Sequence, residues 1–315
     1  FHPYTDVDRY WVDGKYWQVL IAAREINSSG LPEAQDWVNQ KLRYTHGYSV
    51  CVTPVNEFKK EGGGPNFWID GKSANSYKNL HVNRPQVYYG ELTKDYAIVN
   101  TRQKEIDHTT HQEQYQGFGG VEIGSWFRRL CFAARFDFGR ILLSSDLKPE
   151  SRILFWRKIG THQPDSARTV VDRVSHIAPF LKYDPDPYIV IGDDGQLWWI
   201  IDIYVTSHSY PNAEVYVDET ELKENPLYSE PTFDRFNYIR NPAVAIVNAY
   251  SGKVDFYFTK TVQEPVTLAY QKAFRKPLFR IVDKEIERYL DNGVIWKDLR
   301  ERFGKYGGGL SEEVT

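Results

Sequence analysis

Short apolar and aromatic runs recur along the chain, and Asp-Gly pairs separate several of them. Asp13-Gly14 lies between two such runs, and Asp194-Gly195 lies between two more. Asp-Gly readily adopts the positive φ angles that a tight hairpin turn requires. A third pair of apolar runs flanks Ser251-Gly252. The pattern therefore predicts three β-hairpins.

Other segments show helical spacing or short apolar runs. We predict helices over residues 32–42, 126–136, 149–158 and 166–177, and strands over residues 48–55, 88–89 and 96–100. The tail from Glu264 is predicted to be helical, with an apolar stripe that continues past Ile281. Residues 102–116 are polar and are expected to be exposed.

These elements indicate an α+β fold with mixed or antiparallel sheets built on Asp-Gly hairpins, and with packed helices. We divide the chain into a first α+β lobe with a glycine loop and helices (residues 1–160), a second lobe with two hairpins (161–263) and a C-terminal helical tail (264–315). A faint likeness between residues 44–52 and 238–246 leaves open whether the two lobes are similar.

Composition narrows the classes of partner. Aromatic residues make up 15% of the chain, which favours strand-rich packing and broad amphipathic surfaces. The net charge is −3 with both signs interspersed, so nucleic acid is not an expected partner. No apolar run reaches the roughly 20 residues of a membrane-spanning helix, and no signal-peptide pattern is present. Because the chain starts at Phe1 without Met, we expect a fragment or a processed product.

Asp184 and Asp186 form the sharpest local motif, since a proline follows each of them. Proline biases the preceding residue to extended geometry, which places both carboxylates on one side of the chain. The pair could bind Ca²⁺ or act as an acid and a base. Alternatively, it forms a rigid turn in which the side chains cap backbone amides. No other cofactor is expected.

A glycine-rich segment, residues 117–124 with Gly119 and Gly120, precedes the helix predicted at 126–136. Amides exposed at the start of a helix attract anions. The segment matches neither a dinucleotide-binding nor a phosphate-binding motif. A close-packed turn with Ser125 as the helix cap is the alternative.

Histidines provide weaker candidates. His46 and His208 could act as bases or could donate to backbone carbonyls, and no nucleophile elbow accompanies them. His108 and His111 have helical metal-ligand spacing but lie in the polar run, where a solvated loop is the alternative.

Charged and sulfur-containing residues complete the candidates. Arg240, with Arg24-Glu25, could form a buried ion-pair network or bind a ligand. Cys51 and Cys131 lie in apolar runs and are expected to be buried free thiols, although a disulfide is an alternative.

A family resemblance rests on blocks that occur in a fixed order. They are residues 3–10 (PYTDVDRY), 13–16 (DGKY), 22–25 (AARE), 44–48 (YTHGY), 54–57 (PVNE), 89–92 (YGEL), 119–121 (GGV), 150–154 (ESRIL), 177–181 (IAPFL), 183–188 (YDPDPY) and 237–241 (NYIRN). Over residues 3–274 the chain resembles large integral-membrane proteins of bacteria and archaea that form an uncharacterised protein family. The tail after Phe274 departs from that pattern.

The resemblance implies a location and no reaction. Proteins of this family carry about seven N-terminal membrane-spanning helices followed by a large water-soluble region. The chain would then be the soluble region of a cell-membrane protein, facing outside the cytoplasm, with the membrane module of its own full-length protein as one partner. The family assigns no catalytic residues.

Taken together, these observations favour a non-enzymatic extracytoplasmic domain that binds a protein, glycan or lipid partner at the cell envelope. Two other functions stay open. One is a metal-assisted or carboxylate-based hydrolase of envelope polymers that uses Asp184 and Asp186. The other is a structural or assembly domain, for which an aromatic surface also suffices.

Overall fold

The computed structural model describes residues 5–26, 36–59, 62–72, 75–107, 114–155, 168–216, 236–258, 265–273 and 279–281. Within these ranges the protein has an α+β fold, as the sequence predicts. The strands are β1 Asp6–Val12, β2 Lys15–Ala23, β3 Gly47–Tyr48, β4 Val50–Pro54, β5 Ser76–Tyr77, β6 Leu80–His81, β7 Gln86–Val87, β8 Ala97–Val99, β9 Val121–Glu122, β10 Arg152–Leu154, β11 Lys182–Tyr183, β12 Tyr188–Ile191, β13 Leu197–Ser207, β14 Tyr238–Asn248, β15 Val254–Phe258 and β16 Phe279–Ile281. The helices are α1 Trp126–Arg135, α2 Phe138–Leu143, α3 Val170–Ile177 and α4 Pro265–Ala273, with one π-helical turn at Asn39–Arg43.

The N-terminal sheet has the order β1-β2-β4, and all its strand pairs are antiparallel. Asp13 and Gly14 join β1 to β2 with φ angles of 54° and 73°. Positive φ at both central residues is the geometry of a type I′ turn, so the first predicted hairpin is confirmed.

The largest sheet has the order β11-β13-β14-β15-β16, and β12 pairs with β13 beside β11. Its longest strands, β13 and β14, pair antiparallel from Trp198↔Asn248 to Ser207↔Tyr238. β12 and β13 form the second predicted hairpin, and β14 and β15 form the third. Both predictions are confirmed.

β1 closes the free edge of β12 with side-chain oxygens. The Ile189 amide donates to Asp6 Oδ2 at 3.3 Å, and the Ile191 amide donates to the Tyr10 hydroxyl at 3.1 Å. Burial raises the pKa of the Tyr10 hydroxyl well above its ordinary value, and the neighbouring Asp8 carboxylate adds to the rise. Tyr10 therefore stays a neutral acceptor that joins the two sheets.

The main apolar core joins the N-terminal sheet to the large sheet, with Ile21 and Val52 from the first and Trp199 and Ile201 from the second. The Trp199 indole donates to the Tyr89 carbonyl at 2.8 Å. A second cluster lies under α1 and α2. The main core thus includes residues from both predicted lobes, and the boundary at 160/161 lies outside the described residues.

Several local predictions are wrong. Residues 149–158 were predicted to be helical, but Arg152–Leu154 is strand β10 between β8 and β9. The strand forms because pairing with its two neighbours satisfies its backbone and buries Ile153. Tyr88 and Tyr89 are not in a strand, and Phe279–Ile281 is a strand within the predicted helical tail. Within the polar run, Glu105 and Tyr115 are buried because hydrogen bonds satisfy the carboxylate.

Candidate functional site

A cavity of about 730 Å³ lies against the outer face of the N-terminal sheet. Leu20 and Ala22 of β2 line it, while the alternate residues Val19 and Ile21 point into the core. This division follows from the two-residue period of a strand. The lining is Thr5, Leu20, Ala22, Ala23, Arg24, Glu25, Ile26, Tyr44, His46, Gly47, Tyr48, Cys51, Thr53, Pro65, Phe67, Glu91, Leu92, Ile106 and Asp107.

The cavity has an apolar part and an acidic part. Leu20, Ala22 and Phe67 contribute the apolar part. Glu25 and Glu91 contribute the acidic part, and the Asp107 side chain lies buried in the wall beside them. The Arg24 side chain also lines the cavity, and its Nη1 donates to the Gly71 carbonyl.

Glu25 is fixed by the loop that follows Tyr89. The amides of Glu91 and Leu92 donate to its two carboxylate oxygens at 2.8 and 2.9 Å. A Cβ at Gly90 would lie 2.1 Å from Glu25 Oε2, so only glycine permits this approach. The Gly90 amide itself donates to Thr93 Oγ1 at 2.8 Å. The Gly90–Thr93 loop is therefore built around one carboxylate.

Glu91 lies among other acids. Burial raises the pKa of its carboxyl to about 8, and the charges of Asp6, Glu25 and Asp186 add to the rise. The pKa of Glu25 is raised as well, mainly by burial, and the two amide hydrogen bonds oppose the rise. At neutral pH Glu91 is therefore largely a neutral acid beside an anchored carboxylate.

His46 and Asp107 form a buried pair at the cavity wall. His46 Nε2 lies 2.9 Å from Asp107 Oδ1, and His46 Nδ1 lies 2.9 Å from the Gly47 carbonyl oxygen. The Nε2–Oδ1 contact is poorly aligned for a hydrogen bond. The backbone-carbonyl contact is the structural role that the sequence allowed for His46.

A buried polar network supports this wall from behind. Glu105 Oε2 accepts from the Tyr88 hydroxyl at 2.7 Å and from the Thr45 hydroxyl, and Oε1 accepts from the Tyr115 amide at 3.0 Å. Arg168 donates to the carbonyls of Thr45, Tyr88 and Asp95 at 2.7–2.8 Å. Burial lowers the pKa of the Arg168 guanidinium to about 10. The network fixes the residue that precedes His46.

From the sequence, Glu25 was a candidate only as a partner of Arg24 and Arg240, and Glu91 and Glu105 were not candidates. Glu25 and Glu91 stand in the family-like blocks, and Glu105 stands in the run that was expected to be exposed. The signal available in the sequence was glycine beside an acid, as in Gly90-Glu91. The partner carboxylate of Glu25, 66 residues before Glu91, is brought there only by the fold.

Asp184 and Asp186 are placed as a capped turn. Asp184 Oδ1 accepts from the Asp186 amide at 3.0 Å, and Oδ2 accepts from the Tyr204 hydroxyl at 3.2 Å. This geometry is the rigid turn with a side-chain cap that the sequence allowed as the alternative to a Ca²⁺ site or an acid/base pair. Asp186 also contributes charge to the surroundings of Glu91. Within the described ranges no group of three or more His, Cys, Asp or Glu side chains is arranged to hold a metal ion.

The glycine-rich loop is a close-packed turn that holds a cation. Arg152 donates to the carbonyls of Phe118, Gly119 and Gly120 at 2.8–3.1 Å and contacts Glu122 at 2.6 Å. The loop thus directs carbonyl oxygens, not amides, at its charged partner. Ser125 Oγ accepts from the Arg128 amide and caps α1, as the alternative interpretation states.

The remaining candidates are dispersed. Arg240 and His208 are exposed, so Arg240 does not join Arg24 and Glu25 in a buried network. His108 and His111 lie outside the described residues. Both cysteines are free thiols; Cys51 lines the cavity, whereas Cys131 is exposed on α1, contrary to the expected burial.

A family model described as an uncharacterised protein family, UPF0182, matches residues 1–290. The chain belongs to this family. UPF0182 relatives include proteins of Pelotomaculum thermopropionicum (42% identical, covering 85% of this chain and 27% of the relative), Geobacter sulfurreducens (40%, 81% and 26%) and Methanospirillum hungatei (40%, 89% and 29%).

The chain spans about a quarter of the length of these UPF0182 relatives. No solved structure matches it. In the part of the chain that the structure describes, no helix is long and apolar enough to cross a bilayer.

Proposed function

We propose that this region of the UPF0182 protein is a ligand-binding domain, and that its cavity binds a primary ammonium group carried on an apolar stem, such as a lysine side chain of a partner protein. The observation that carries the proposal is the cavity itself, which Glu25 and Glu91 line together with the apolar Leu20 and Ala22.

Electrostatics supports a cationic ligand. Burial raises the pKa of Glu91, the charges of Asp6, Glu25 and Asp186 add to the rise, and a bound ammonium would oppose both effects and favour the ionised form. The apolar wall would contact the stem, as amphipathic side chains bury their methylenes and leave the charge near water. Binding would then release a proton near neutral pH.

Two blocked tripeptides, acetyl-Ala-Lys-Ala-amide and the same peptide with an acetylated lysine, test the proposal. We expect the lysine peptide to bind at least about tenfold more tightly, a difference of about 1.4 kcal/mol, by calorimetry or chemical-shift titration. Glu91→Gln should remove most of that preference. Glu150→Gln, an exposed acid outside the cavity lining, is the matched control. Equal affinity for both peptides would contradict the proposal.

The place of this domain in the whole protein is part of the proposal. We place it outside the cytoplasm, attached to the membrane module of its own full-length chain; the resemblance supports this location. Lys15→Cys at the exposed end of the first hairpin, in a full-length protein otherwise without cysteine, should react with a membrane-impermeant maleimide in intact cells. Reaction only after lysis would place the domain inside.

A carboxylate-based hydrolase is the second candidate, and the presence of Glu25 and Glu91 in one cavity favours it. Burial raises the pKa of both carboxyls, and an acid whose pKa is raised to about 8, as that of Glu91 is, can serve as the proton donor of an acid/base pair. Purified cell-wall polymer incubated with the protein would then release reducing ends or amines, and Glu91→Gln would abolish the release while Glu150→Gln would not.

A further inference from the structure

The helical hairpin α1–α2 presents large apolar side chains to solvent. Trp126 is 70% exposed, Phe127 69%, Phe138 57% and Leu143 81%. Single exposed apolar residues are ordinary on protein surfaces, but several on one short hairpin mark an interaction surface. We call this surface the aromatic-basic face, defined by Trp126, Phe127, Arg128, Arg135, Phe138, Arg140 and Leu143.

Helix α1 is apolar on two sides. Ala133 is buried in the second core cluster, and Phe132 packs against that cluster. At about 100° per residue, Phe127, Cys131 and Ala134 fall on the opposite side, and all three are exposed. A surface helix normally turns polar residues outward, so the exposed apolar stripe of α1 departs from that pattern.

The hairpin is held firmly in this orientation. Ser125 caps α1, and Asp137 caps α2 by accepting from the Arg140 amide at 3.1 Å. The Arg129 side chain crosses to α2, where it donates to the Ile141 carbonyl at 2.7 Å and to the Ser144 carbonyl. The exposed aromatic residues are therefore presented by a fixed scaffold.

Charge distinguishes the hairpin from the rest of the chain. Residues 126–143 contain four arginines and one aspartate, although the whole chain has a net charge of −3. Arg128, Arg135 and Arg140 are exposed. The aspartate, Asp137, lies 3.7 Å from Arg140. The hairpin thus combines projecting aromatic residues with a local positive charge.

We propose that the aromatic-basic face lies on an anionic lipid bilayer surface. Trp and Phe insert at the boundary between headgroups and acyl chains, and arginines beside them bind anionic headgroups. Side chains that are more than half exposed project from the surface, and a fluid bilayer can accommodate such projections without a matching groove. The excess of arginines is complementary to anionic lipid. The proposal does not depend on the cavity.

Vesicle binding by the 315-residue chain tests this proposal. We expect co-sedimentation with vesicles of phosphatidylcholine and phosphatidylglycerol, and at least tenfold weaker binding to phosphatidylcholine alone. Arg128→Gln and Arg135→Gln should each weaken binding about fivefold, since an arginine near an anionic surface contributes about that factor. Added salt should weaken binding for the same reason.

The aromatic residues provide the second arm. Phe127→Ser should reduce vesicle binding about tenfold or more. Phe58→Ser alters an exposed aromatic residue outside the α1–α2 hairpin and should leave vesicle binding unchanged. The circular dichroism spectrum of each variant is compared with that of the unaltered protein. We expect no change for Phe127→Ser, because the Phe127 side chain is largely exposed. Brominated lipids should quench tryptophan fluorescence, and Trp126→Phe should remove most of that quenching.

Three outcomes would overturn the proposal. One is equal binding to neutral and anionic vesicles. Another is binding that survives Phe127→Ser together with Arg128→Gln. The third is no vesicle binding, with light scattering showing a dimer that Phe127→Ser dissociates, which would assign the face to a second copy of the chain.

Discussion

Two glycine-containing loops of this protein bind opposite charges. The Gly90–Thr93 loop directs two amides at the Glu25 carboxylate. The loop at 118–120 directs three carbonyls at the Arg152 guanidinium. In both loops a charged side chain is held by backbone groups, but opposite ends of the peptide dipole point inward.

The comparison shows what glycine does and does not specify. A Cβ at Gly90 would meet the bound carboxylate, and a Cβ at Gly120 would meet the Ile153 carbonyl at 2.4 Å. Glycine therefore permits the close approach, whereas φ and ψ decide whether amides or carbonyls point inward. Gly120 has a φ of +73°, a region in which other residues are strained.

The largest expected effect comes from Gly90→Ala. The added methyl group would displace Glu25 from both amides and leave buried groups unpaired, so the free energy of unfolding should fall by about 3 kcal/mol. Lysine-peptide binding should be lost with it. Gly139→Ala is the control, because a Cβ there would meet nothing within 4 Å. Urea denaturation measures both, and an unchanged midpoint for Gly90→Ala would show that the loop can rearrange.

Arg152→Gln should lower the free energy of unfolding by a somewhat smaller amount, through the loop at 118–120. Three charge-assisted hydrogen bonds to carbonyls are lost, which should cost about 2 kcal/mol of unfolding free energy. Peptide binding in the cavity should not change. Arg102→Gln, at an exposed arginine, is the control. If Arg152→Gln weakens peptide binding as much as stability, the two loops are not independent.

Glu91→Gln should stabilise the protein at neutral and alkaline pH. Because the folded-state pKa of Glu91 is about 8 and its ordinary value is 4.5, the folded protein holds a proton that the unfolded chain releases between these values. Stability from this group is complete below pH 4.5 and falls as the pH rises towards 8. Because Gln does not ionise, Glu91→Gln removes this pH-dependent loss of stability. Since Glu91 is half-buried and solvent screens it, we expect a gain of about 1 kcal/mol at pH 8 and none at pH 4. A gain of equal size at both pH values would exclude the ionisation as its cause.

Asp184→Asn should have the smallest effect. The cap on the Asp186 amide can persist with the amide oxygen of Asn, so unfolding free energy should change by about 0.5 kcal/mol or less. Thermal melting with and without Ca²⁺ tests the predicted metal site in the same experiment. Each carboxylate oxygen of Asp184 already accepts a hydrogen bond within the turn, and we therefore expect no Ca²⁺-dependent shift. A shift in the unaltered protein that disappears in Asp184→Asn would establish the site.

The sequence predicted the elements whose chemistry is local. Asp13-Gly14 specifies a turn by its own φ preferences, and Ser125 specifies the start of α1. Prediction from the sequence failed where contacts between residues far apart in the chain decide the local structure. Arg152–Leu154 is a strand because β8 and β9 lie on either side of it. Glu105 is buried because donors from Thr45, Tyr88 and Tyr115 reach it.

The candidate site was predictable only in fragments. His46 and Glu25 were both noted from the sequence, but nothing local brings either one to Glu91 or Asp107. The cavity exists because β2 and the Gly90–Thr93 loop meet in space. A period of two residues predicts which side of β2 faces outward, yet the segment that covers that side is set by tertiary packing.

The side-chain closure of β12 has a consequence for behaviour at high concentration. An open strand edge is a template on which another chain can add its own strand and start fibrous association. Here Asp6 and Tyr10 already accept the outward amides of Ile189 and Ile191. Without those two oxygens the outward amides of β12 would be open to pairing with a strand of another molecule.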